Sequence, residues 1–262
     1  MIRKNFTEAC SSIKYIYPFA LIPLLIDLFY FLIYKLYFKF DFIPSNLNLN
    51  FKITTFTIPP SINDFIDFFP NLNIILENIK FYPNKTIIFE ILLIYIIQSF
   101  LISGYLSSLY HAYSYKTIFT YFFKYGFKNW HLFFIYSLPQ IIISLLILNN
   151  SQFLNVALVL SGLFYVIFSL STYSFVVDDL TFFEGLRKAC YTLFSNIKTF
   201  LKLAIFLALI LIIPNFLLLA LLQHNDTFNI TFSLILSSLI LVIINLTILK
   251  TYISVNSKSL EE

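Results

Sequence analysis

Long apolar runs alternate with short polar interruptions along the whole chain. Six runs are long enough to cross a bilayer: Tyr15 to Phe38, Thr86 to Leu109, Trp130 to Leu148, Phe153 to Val177, Phe200 to Leu222 and Ile230 to Thr251. Each holds roughly 19 to 25 residues, against the ~20 needed for a 30 Å hydrocarbon core. None alternates strictly, and hydrocarbon cannot satisfy free backbone groups, so the runs predict helices rather than strands. The pattern predicts an all-α, polytopic membrane protein with six transmembrane helices in a single integral membrane domain over residues 1–262.

The polar interruptions carry a finer rhythm. Asn5-Phe-Thr-Glu8 and Thr181-Phe-Phe-Glu184 both have capping-box spacing, in which the first side chain accepts from a free helical N–H and the glutamate reaches back. Each precedes an amphipathic stretch and then a span. In the second, Phe182, Leu186, Ala189, Leu193 and Ile197 form one apolar stripe. Thr117-Ile-Phe-Thr120 is a weaker third instance. These predict three units, 1–109, 110–178 and 179–255, each an interfacial helix followed by a transmembrane hairpin. Pro23, Pro139 and Pro214 sit inside the first span of each unit; the last two are 75 positions apart, and the first interval shortens from 116 to about 69 once a long outer loop is removed.

That loop, residues 39–85, is far longer than ordinary connections, so it should carry structure of its own. Asn46 to Ile53 alternates with a period of two and predicts a strand. Ser61 to Phe69 begins with Ser61 and Asp64 in capping positions and places Ile62, Phe65, Ile66 and Phe69 on one helical face; Asn71 to Ile79 repeats the spacing. Amphipathic helices lying on the outer face or capping the bundle are expected.

Charge sets orientation. Arg3, Lys4, Lys14, Lys116, Lys124, Lys128, Arg187, Lys188, Lys198, Lys202, Lys250 and Lys258 share one side, whereas Lys39, Lys52, Lys80 and Lys85 on the other are balanced by Asp41, Asp64, Asp67 and Glu77. Lys and Arg concentrate on cytoplasmic loops, so both termini are expected in the cytoplasm of a multi-pass cell-membrane protein. The basic start runs directly into a full-length span and reads as a retained first helix rather than a signal peptide. Composition agrees: 59% hydrophobic and 11% charged residues leave little water-facing surface. The 33 phenylalanines and 18 tyrosines fit a coding bias as well as a binding surface, so their abundance carries no functional weight.

Candidate chemistry is sparse. Cys10 and Cys190 make no disulfide framework, His111, His131 and His224 are scattered, and four glycines could hardly build a phosphate cradle. No hydrolase, zinc-protease or nucleotide-loop signature occurs, and no basic stripe suggests nucleic acid. Neither a cofactor nor a metal is expected. The sharpest residue is Asp27, an acid within the first span, where charge costs about 2.5 to 3.5 kcal/mol. Counted at ~1.5 Å per residue, Asp27, Gln98, Gln140 and Asn215 share one depth near the midplane, with Glu90 about a turn nearer the outer face. This candidate intramembrane polar site reads either as an interhelical clamp or as an ion or solute path. Ser99, Ser103 and Ser107, Ala157 with Ser161, and Ser233 with Ser237 recur every four residues and predict closely packed helix faces.

Phe175 to Leu203, FVVDDLTFFEGLRKACYTLFSNIKTFLKL, resembles a group of uncharacterised prokaryotic multi-span proteins. These are related to the membrane domain found beside some glycerophosphodiester phosphodiesterases. The shared pattern is an acid just after a span, then E-A-L-x-x-S, then a short helix ending in Asn. Asp178 or Asp179, Glu184, Leu186 and Asn196 hold those places, with Gly185 and Ala189 where Ala and Ser recur. The resemblance implies a repeated membrane fold and supplies no catalytic residue. The expected function is a non-enzymatic scaffold, assembly or accessory protein of the envelope, with the bilayer and other membrane proteins as partners. The alternative is a small ion-coupled or solute transporter built around Asp27.

Overall fold

The computed structural model describes residues 1–12, 17–36, 60–66, 85–111, 118–148, 152–223 and 227–258. Among them are ten α-helices: α1 (Ile2–Ser11), α2 (Leu21–Leu36), α3 (Lys85–His111), α4 (Ile118–Tyr136), α5 (Leu138–Leu148), α6 (Leu154–Ile167), α7 (Ser171–Val177), α8 (Phe182–Ser195), α9 (Ile197–Gln223) and α10 (Thr227–Lys258). Short 3-10 turns occupy Tyr17–Ala20 and Ile62–Asp64. Among the described residues the protein is all-α, and its apolar helices mark it as membrane-embedded. Segments within α3, α9 and α10 are long and apolar enough to cross alone, and the spans rise to five if the bent pairs α4–α5 and α6–α7 each count as one. The predicted strand at Asn46–Ile53 and helix at Asn71–Ile79 lie outside the described residues.

The described helices fall into two compact units. The first contains α1, α2, residues 60–66, α9 and α10; the second contains α3 to α7 and most of α8. In the first unit α10 is the hub, packing against α1, α2, α9 and both 3-10 turns. Its buried face includes Leu234, Leu241, Ile244, Leu249 and Tyr252, and the predicted small pair Ser233 and Ser237 is fully buried.

Asn5 does not cap a helix. α1 starts from Met1, one turn earlier than the capping-box spacing suggests, so Asn5 falls in its interior and is buried. Its amide donates to Thr251 Oγ1 at 3.1 Å and Ser254 Oγ at 3.4 Å, while Glu8 pairs with Lys250 at 3.2 Å. The same four-residue spacing that resembles a cap is a docking face onto α10.

In the second unit α3 and α4 approach closely. Ser99, Ser103 and Ser107 are buried, as their spacing predicts, and Ser103 Oγ donates to the Tyr125 carbonyl at 3.0 Å. A Cβ at Gly104 would lie 2.8 Å from the Phe122 carbonyl oxygen, so only glycine allows this separation. α4 runs unbroken from Ile118, which makes the expected middle interfacial helix the beginning of a longer one. On α8 the buried line is Gly185, Ala189 and Thr192; Ile197 of the predicted stripe begins α9 and is exposed. That line exists because Gly185 fits under Phe175, where a Cβ would meet two ring atoms at 2.5 Å.

The three prolines behave differently. Pro23 lies in the first turn of α2, where its missing N–H removes no helical bond. Pro139 lies beside the 51° bend between α4 and α5, whereas α9 continues through Pro214. A second bend, 43° between α6 and α7, has no proline within it.

Candidate functional site

Asp27 is fixed by the loop that the sequence places outside the membrane. On α2 its side chain is 1% exposed, and each carboxylate oxygen has a protein donor. Ser61 Oγ donates to Oδ1 at 2.7 Å and the Ile62 N–H donates to Oδ2 at 2.8 Å. The donors converge because Ser61 starts a 3-10 turn whose first N–H groups have no partner inside it. Ser61 Oγ also accepts from the Asn63 N–H at 3.3 Å, and the Ser61 N–H donates to Asp64 Oδ2 at 3.2 Å.

The predicted Ser61–Asp64 capping box is therefore present, and Asp27 takes the N–H that the box leaves over. Ile62, Phe65 and Ile66 are fully buried, so residues 60–66 are inserted into the first unit rather than laid on its surface. The sequence identified both halves of this arrangement but not their pairing, because 34 residues separate Asp27 from Ser61.

The other members of the predicted polar layer belong to both units. Asn215 is buried on α9, in the same unit as Asp27, but both Asp27 oxygens are directed to Ser61 and Ile62. Gln98, Gln140 and Glu90 belong to the second unit. Gln98 is half-buried on α3 and Gln140 is exposed on α5; Glu90 lies on α3, and its side chain is outside the description.

The second unit instead gathers tyrosines at its two helix breaks. Around Ser137 the chain tightens: the Gln140 N–H turns to the Ser137 carbonyl at 2.9 Å, away from the Tyr136 carbonyl that a continuous helix would give it. Tyr165 OH donates to that released Tyr136 oxygen at 3.2 Å. Tyr136 OH in turn donates at 3.0 Å to the carbonyl of Phe168, where α6 stops. Each bent pair thus supplies the hydroxyl that satisfies the other's break. Beside them Tyr95 OH and Ser144 Oγ lie 3.1 Å apart, and Ser144 Oγ donates to the Gln140 carbonyl at 3.0 Å. The legible signal was Tyr136 three residues before Pro139; nothing in the apolar run around Phe168 marks the second break.

At the helix termini, Glu184 accepts from the Thr181 N–H at 3.3 Å, the reach-back expected of the interfacial cap, and from the Thr181 hydroxyl at 2.6 Å. Those bonds, the hydroxyl's first, hold the exposed carboxyl below the usual glutamate range. Just upstream Asp178 caps the C-terminus of α7, and Asp179 adopts a left-handed conformation with φ 49°, a position usually taken by glycine. Lys128 of α4 holds both Asp179 oxygens at 2.8 Å, and Lys188 pairs with Asp178 at 3.4 Å. Comparison of the chain with protein-family models, with characterised proteins and with solved structures finds no match.

Proposed function

We propose that this is a non-enzymatic, multi-pass protein of the cell membrane that serves as a scaffold, assembly or accessory component of the envelope. The observation that carries this reading is the state of Asp27. A transport acid must exchange its partner for a solute or proton, whereas this carboxylate is buried with both oxygens bonded to the chain's own loop. Its role is to fasten residues 60–66. Six spans remain the proposed topology, with the short apolar helix Tyr17–Phe29 adding a sixth crossing to the five. The docking of α1 on the last turns of α10 supports placing both termini on one side, and the lysine distribution makes that side cytoplasmic.

The test pairs two measurements. In-membrane photo-crosslinking is expected to recover the same protein partner repeatedly, and recovery of none would count against a scaffold. Proteoliposomes holding wild type or Asp27→Asn should show equal, background solute and proton flux. Flux lost only in the variant would favour the second reading, a small transporter, whose specific support is the pair of broken helices with polar groups at their breaks.

A further inference from the structure

Where α3 ends, an aromatic and cationic cluster forms that none of the preceding roles uses. The His111 ring lies flat on Tyr125, with centroids 4.4 Å apart and planes 12° apart, and is also stacked beside Tyr121 at 5.9 Å. Lys124 and Lys128, one turn apart on α4, place their ammonium groups 5.4 and 5.9 Å from the Tyr125 centroid. Among the described residues, Lys124, Lys128 and Asp179 are the charges whose fields reach the imidazole.

Lysines beside tyrosines at a membrane boundary are commonplace, and free snorkelling would explain an isolated pair. Two observations separate this cluster from that background. Lys128 is not loose, because both Asp179 oxygens hold it at 2.8 Å. Phe119, Phe123 and Phe127 line an adjacent strip of α4 at the same four-residue spacing and are 56%, 52% and 70% exposed. One helix therefore presents a fixed cationic, hydrogen-bonding strip next to an apolar one.

We infer that this end of the second unit binds an anionic phospholipid, its phosphate seated between Lys124, Lys128 and His111 and its apolar part beside Phe123 and Phe127. The net charge of the two lysines and Asp179 is +1, matching a phosphodiester monoanion. The apolar strip selects a lipid over free phosphate, since a soluble anion would gain nothing from it.

Trp130, the chain's single tryptophan, lies two residues beyond Lys128 and serves as the reporter. The full-length protein is reconstituted into phosphatidylcholine vesicles containing increasing fractions of brominated phosphatidylglycerol or brominated phosphatidylcholine, and Trp130 quenching is followed. Phosphatidylglycerol should quench at a lower mole fraction, with the preference falling roughly fivefold for each lysine removed. Lys124→Gln/Lys128→Gln should abolish it, Lys124→Arg/Lys128→Arg should keep it, and Lys198→Gln/Lys202→Gln, which removes equal charge from α9, should leave it unchanged. Lys124→Gln alone spares the Asp179 pairing and should show the single-lysine loss if the double variant does not fold. Inorganic phosphate should not relieve quenching. Equal quenching by both lipids, an equal loss in the α9 variant, or relief by phosphate would each overturn the assignment.

Discussion

At Asp27 a single carboxylate decides whether a loop belongs to the membrane domain. Asp27→Ala leaves the Ser61 hydroxyl and the Ile62 N–H facing a buried site without their acceptor, and an unsatisfied buried donor costs about 1 to 3 kcal/mol. The partner change Ser61→Ala removes only the first bond. A double-mutant cycle of Asp27→Ala and Ser61→Ala, read by reversible unfolding in mixed micelles, should give a coupling of about 1 to 3 kcal/mol. Strict additivity would mean the contact does not stabilise the fold. Glu184 gives a second test at this scale, this time through pH. Its carboxyl is held below the usual range by Thr181, so its contribution is complete above about pH 4.3, the unfolded value, and is lost as pH falls through the depressed folded value. Hydrogen exchange of the first turn of α8, corrected for its intrinsic pH dependence, should therefore rise in that acid window. Glu184→Gln should flatten the response; a variant retaining the same rise would assign it to another group. Both acids were legible in the sequence, Asp27 from its apolar surroundings and Glu184 from its cap spacing. Asn5 was misread because cap spacing and a helix docking face share the same period.

Among the elements, the broken helices show where apolar patterning loses information. A run such as Phe153 to Val177 reads as one span because hydropathy records burial and not the path of the backbone. At the bend after Ile167 the Phe168 carbonyl is met by a hydroxyl from another helix, Tyr136. The prolines mislead for a related reason: a missing N–H has little effect in the first turn of α2, accompanies a break near Ser137, and is accommodated within α9. Tyr165→Phe should expose this logic. It removes the donor to the Tyr136 carbonyl, at a cost near the ~0.6 kcal/mol typical of interhelical bonds in membranes, too small to unfold the unit but enough to loosen the bend. Spin labels at Phe127 on α4 and Ile142 on α5, both exposed, should report a broader distance distribution in the variant than in the parent. An unchanged distribution would mean that the flanking ring packing of Tyr136 against Phe164 and Phe175 sets the angle without the hydrogen bond.

For the molecule as a whole, the order of the chain differs from the order of its packing. The first unit joins residues 246 positions apart, Asn5 to Thr251, whereas the described helices of the second come from one continuous middle stretch. Local apolar patterning could locate the long helices of the first unit yet not show that α1, α2, residues 60–66 and α9 all pack on α10. Because α10 follows all of these partners in the chain, they wait for it, and closing so long a loop is intrinsically slow. A chain ending at Gln223 tests this hierarchy. Without α10, Asn5 and Glu8 lose Thr251, Ser254 and Lys250, and the buried faces of α2 and residues 60–66 lose their main packing surface. Limited proteolysis should then cut within α1 and around Ser61, sites protected in the full chain. The Trp130 emission maximum, which reports on the second unit, should stay at its full-length value. If proteolysis of the first unit and the Trp130 spectrum change together, the two units fold as one cooperative body and α10 is the keystone of both.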